Sequence, residues 1–73
     1  MSRKANRIDR AHQAELARSR AQLVLLGKAM EEAWQQFDTL TQPKLIDACV
    51  LEINALRCRY DHELAHYKAM ERS

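Results

Sequence analysis

The stretch Phe37-Asp38-Thr39-Leu40-Thr41-Gln42-Pro43-Lys44-Leu45-Ile46 decides the fold. It holds the only proline of the chain, with Asp38 and two threonines clustered just ahead of it. Such side chains compete with helical backbone hydrogen bonds, whereas proline in a first helical turn loses none. The segment predicts that one helix ends near residue 38, that 39–42 form a loop with Thr41 or Gln42 as cap, and that a second helix starts at Pro43.

Outward from this loop, the apolar residues recur every seven positions. Leu16, Leu23, Met30 and Phe37 precede the proline, with Leu26, Ala33 and Leu40 alternating between them; Ile46, Ile53, Tyr60 and Tyr67 follow it, alternating with Cys49, Leu56 and Met70. This is the repeat of long amphipathic helices that pack along one seam. Folding about the loop pairs positions whose numbers sum to about 83: Phe37 with Ile46, Met30 with Ile53, Leu23 with Tyr60, Leu16 with Tyr67. Every pair is apolar or aromatic, so the reading is an all-α antiparallel hairpin, with helix 1 over about 8–38 and helix 2 over about 43–70. Glu63 is the misfit of the seam. Gly27 interrupts helix 1 with no proline or cap beside it, which points to close packing of another helix rather than a break.

Trp34, Leu45, Val50 and Leu64 fall beside this seam as a second apolar stripe that two helices alone cannot cover. A hairpin of 73 residues has a single thin interface, so these four residues are the expected contact surface for a second copy, giving a four-helix bundle, or for an unidentified protein partner.

Composition excludes other classes. One glycine and one proline among 73 residues, with 30% of the chain charged, leave too little turn chemistry for a β-fold. The run Leu23-Val24-Leu25-Leu26 is far short of the ~20 apolar residues of a membrane span. Cys49 and Cys58 stand nine positions apart and so point to opposite sides of one helix, which forbids an intrahelical disulfide. With no leader pattern, two free thiols fit a reducing cytosol, and a cytoplasmic protein is expected.

From Trp34 to Lys68, and most closely in Phe37-Asp38, Leu40-Thr41, Pro43, Leu45-Ile46-Asp47, Glu52-Ile53-Asn54-Ala55 and Arg59-Tyr60, the chain resembles the YaaL-like family of short helical proteins of unknown function from Firmicutes. The resemblance covers about half the chain and implies a small cytoplasmic helical protein with no assigned chemistry. Where that family carries apolar residues after its Arg-Tyr pair, this chain has Asp61-His62-Glu63. A weaker likeness joins Pro43 to Tyr60 with the second helix of the small sporulation aspartyl-phosphate phosphatases. The Ser and Asp of their motif are here Val50 and Asn54, and valine has no group to act on a phosphoaspartate.

Two patterns offer chemistry. His62-Glu63-Leu64-Ala65-His66 satisfies H-E-x-x-H on a helix and puts both imidazoles on one face, where His62 and His66 could hold zinc. A hydrolytic site needs a third ligand, and the extended motif would require glycine and histidine where Ala69 and Arg72 stand; His12 is the one other histidine. No catalytic residue and no cofactor are assigned. The first twenty residues carry six basic side chains against Asp9 and Glu15, the remainder six against eight acidic. Arg3, Arg7, Arg10 and Arg18 lie near one face of helix 1 and could track phosphates, making nucleic-acid association the alternative function. Arg3, Lys4 and Arg7 also oppose the helix macrodipole, so residues 1–7 are expected as a frayed basic arm. The leading expectation is a non-enzymatic helical interaction module or small adaptor that forms a homo-oligomer.

Overall fold

The computed structural model describes the backbone of residues 3–72 and side chains from Asp9 to Arg72. It contains two helices, α1 (Arg3–Thr39) and α2 (Pro43–Arg72), packed against each other along their length. Leu40, Thr41 and Gln42 form the connection. The Thr39 hydroxyl donates to the Gln36 carbonyl at 2.9 Å, and the Leu40 amide closes on Phe37 O at 3.3 Å, ending α1 in a tighter turn. Gln42 O then accepts from the Leu45 and Ile46 amides at 3.1 and 3.0 Å, which makes Gln42 the cap and Pro43 the first helical residue.

α1 starts at Arg3, earlier than the expected 8. Arginine, lysine and alanine are strong helix formers, and an exposed cation in a first turn costs only about 0.3–1 kcal/mol, so residues 3–7 continue the helical backbone. The side chains of Arg3 and Arg7, and Met1 and Ser2 entirely, lie outside the described residues.

The heptads face inward as expected. Ala33, Cys49 and Ile53 form the buried cluster, with Phe37, Leu40 and Leu56 packed around it, while Leu16 and Met70 are buried at the far end of the seam. The Cys49 thiol donates to the Ala33 carbonyl at 3.3 Å, crossing the seam between positions that sum to 82. Farther from the loop the Tyr60 ring lies beside Gly27, one carbon 4.0 Å from where a β-carbon would stand, and the Tyr67 hydroxyl meets the Arg20 guanidinium. Helical side chains lean toward the N-terminus of their own helix, so the tips of these long rings fall about a turn back along α2 and fit the alignment seen at Cys49 and Ala33. Gly27 has no positive φ, and a β-carbon there would meet the Tyr60 ring at an ordinary van der Waals distance, so neither turn geometry nor crowding demands glycine at this position.

The hairpin is a rod of 62 × 15 × 13 Å with a radius of gyration of 17.6 Å, against ~11 Å for a compact chain of this length. Its accessible surface is 6201 Å², where a compact protein of 8.5 kDa would show about 4,700 Å². Among the described residues no helix is long and apolar enough to cross a membrane.

Candidate functional site

The positions just beyond the seam have no partner helix, and on one side they open a groove of about 470 Å³. α1 supplies Met30, Trp34 and Phe37 to it. The heptad sets Met30 and Phe37 at the seam and turns Trp34 outward by one position; its indole is 53% exposed and meets the Phe37 ring edge-on, centroids 5.6 Å apart at 76°. The opposite wall is α2, where Val50 and Ile53 form the apolar end and Asn54, Arg57 and Asp61 the polar end, with Tyr60 between. One cation and one anion thus stand four residues apart on a largely apolar surface.

Of the four expected contact residues, Trp34 and Val50 line this groove together. Leu64, two heptads beyond Val50, is half-buried, and Leu45 is 49% exposed on the other edge of α2, so neither joins the groove lining. Val24, Leu25 and Leu51 are also exposed, outside the seam and outside the groove.

The other side of the rod is polar. His62 and Arg59 face Gln22 and Leu26 in one crevice, and His66 faces Glu15, Arg18 and Ser19 in the next, with Glu63 bordering both. His62 and His66 therefore open into different crevices. Among the described residues no group of three or more His, Cys, Asp or Glu could hold a metal ion. Arg18 stands with Glu15 and Glu63, whereas Arg10 is exposed on α1. Cys49 and Cys58 are free thiols, one buried and one exposed.

Two further features lie along the seam. Ser19 continues the series of Leu26, Ala33 and Leu40 one heptad back, so it lies in the seam at 4% exposure, and its hydroxyl has no hydrogen-bond partner. Arg20 donates to the Tyr67 hydroxyl at 3.1 Å with its guanidinium 5.8 Å from the ring centroid, and that hydrogen bond raises the arginine above its ordinary pKa. The heptad foretells Ser19's burial; nothing local foretells the Arg20 contact, because it joins two helices across 47 positions of sequence.

Comparison with protein-family models, with curated proteins and with solved structures finds no match to this chain.

Proposed function

We propose that the protein is a non-enzymatic helical interaction module of the cytosol that associates with itself, two hairpins closing into a four-helix bundle over the Trp34–Val50 groove. The observation that carries this is the exposed indole of Trp34 standing over Phe37 in a groove that continues to Val50. Aromatic anchors in a pocket dominate helix-to-helix recognition. The rod also exposes about 1,500 Å² more than a compact chain would, enough for the ~800 Å² that each partner of a standard interface buries. An adaptor role, the cytosolic setting and kinship with the YaaL-like proteins belong to the same proposal, supported by the paired heptads, the free thiols and the residues around Pro43.

Nucleic-acid association is less well supported. Of its four arginines, Arg18 shares a crevice with Glu15 and Glu63. No phenylalanine, tyrosine or tryptophan lines the crevice with it, the side chains that single-strand stacking favours.

Sedimentation equilibrium of the full chain is expected to give twice the chain mass, and Trp34→Ala is expected to return a monomer that keeps much of its helicity by far-UV circular dichroism. An unchanged mass for Trp34→Ala would refute the groove as the contact surface.

A further inference from the structure

α2 carries a second heptad series on the side away from α1. Ala48, Leu51, Ala55, Cys58, His62 and Ala65 follow one another at alternating steps of three and four residues. All six are exposed, Leu51 to 70%, and none of them lines the Trp34–Val50 groove. A surface helix normally keeps charge on its outward side, as α1 does with Arg18, Lys28 and Glu32. On α2 the charges stand instead in rows along the two edges of the uncharged series. Glu52 and Arg59 lie on one edge, Asp47, Asp61 and Lys68 on the other, all exposed. An uncharged heptad face edged by charges is what a helix presents to another helix.

We propose that this face is a second self-contact, in which α2 lies antiparallel on the α2 of another copy about a two-fold axis crossing it between residues 56 and 57. The contact goes beyond the groove and does not depend on it. Where the groove has already paired two hairpins, the outer face of α2 joins those pairs to one another.

In a two-fold contact residue i meets the partner's j while j meets the partner's i, so a face pairs with itself only where complementary features straddle one centre. Here Ala48 and Ala65, Leu51 and His62, and Ala55 and Cys58 all straddle the point between 56 and 57. Glu52 with Arg59, and Asp47 with Lys68, straddle the same point to within one residue. Antiparallel contact about it sets Glu52 beside the partner's Arg59 and Asp47 beside the partner's Lys68, each twice. Asp61 then meets the partner's Asn54 amide.

Neighbouring arrangements lose this match. A shift of one heptad in one direction sets Glu52 against the partner's Glu52 and Asp47 against the partner's Asp61. The opposite shift sets Arg59 and Asp61 each against its own copy. Parallel helices would place Asp47 beside the partner's Glu52. Charge therefore selects one orientation and one register. The alanines let the two backbones approach closely but bury little apolar area, so this contact is weaker than the groove, where Trp34 and Phe37 supply the bulk.

The first test is sedimentation of the full chain at rising concentration, where the mass is expected to climb past twice the chain mass once groove pairing is complete. Glu52→Arg and Arg59→Glu, made separately, each put like charges together twice. Each is expected to move that climb to on the order of tenfold higher concentration, and the double variant Glu52→Arg with Arg59→Glu to restore it. Both positions are exposed and outside the groove lining, so helicity and groove pairing are expected to stay as in wild type.

A second readout traps the contact directly. Ala55→Cys in a Cys58→Ser background, mixed with the wild-type chain and mildly oxidised, is expected to form a disulfide from position 55 of one copy to Cys58 of the other. Lys28→Cys in the same background is expected to form none. Adding Trp34→Ala is expected to leave the cross-link in place, which separates this face from the groove. Single charge variants that associate as wild type does would overturn the proposal, as would a double variant that fails to restore association or the absence of the cross-link. Each of these results leaves the groove reading to be decided by the mass of Trp34→Ala at low concentration.

Discussion

Ile53→Asp abolishes the helical signal of the chain, whereas Leu51→Asp, two residues away, leaves it intact. Ile53 is 6% exposed and belongs to the cluster with Ala33 and Cys49, while Leu51 is 70% exposed on the outer face of α2. Removing the bulk of an isoleucine from a core costs about 2–5 kcal/mol, and leaving a carboxylate buried without a partner costs about 3–5 kcal/mol more. A core of this size contributes no more than about 3–5 kcal/mol of net stability, so the substitution exceeds what the fold has. Far-UV circular dichroism at 25 °C measures both variants. Retained helicity in Ile53→Asp would mean that the seam is not what orders the two helices.

Ser19→Ala raises the melting temperature. The hydroxyl is buried at 4% exposure without a hydrogen-bond partner, so in the folded state it has lost water and gained nothing. An unsatisfied buried hydroxyl costs about 1–3 kcal/mol, and alanine is also the better helix former by up to ~0.5 kcal/mol. For a chain of this size each kcal/mol moves the transition by about 4–8 °C, so a rise of at least roughly 4 °C, and up to roughly 28 °C, is expected in a thermal melt followed at 222 nm. A fall would show that the hydroxyl has a partner, either the Glu15 carbonyl one turn back or an ordered water in the crevice it borders.

The two predictions mark what the heptads disclose and what they omit. The stop at Phe37, the loop before Pro43 and the inward face of each helix follow from local chemistry: turn formers beside a proline, and apolar residues at a seven-residue period. Ile53 and Ala33 could be named as core from that period alone. The particular partner of each long side chain could not, because the period fixes which face turns inward and not which rotamer carries Tyr60 to Gly27 or Tyr67 to Arg20. The contact stripe divided for a related reason. Leu45 and Val50 both neighbour the seam, but they lie on its two sides, and only a three-dimensional hairpin separates those sides into an apolar groove and a polar flank. Arg57 and Asp61 are unremarkable surface charges in one dimension, and only the hairpin places them together on the α2 wall of the groove.

The position of the buried cluster also bears on how the hairpin forms. Ala33, Cys49 and Ile53 lie close to the Leu40–Gln42 connection, whereas Leu16 and Met70 close the far end. Bringing together the first set encloses the shorter loop and loses the least chain entropy, so folding starts at the connection and zips outward with contacts of rising sequence separation. Opening runs in reverse. Amide hydrogen exchange should therefore be slowest around Ala33 and Ile53 and fastest toward Ser19 and Tyr67, with protection graded along the rod from the turn to its free ends.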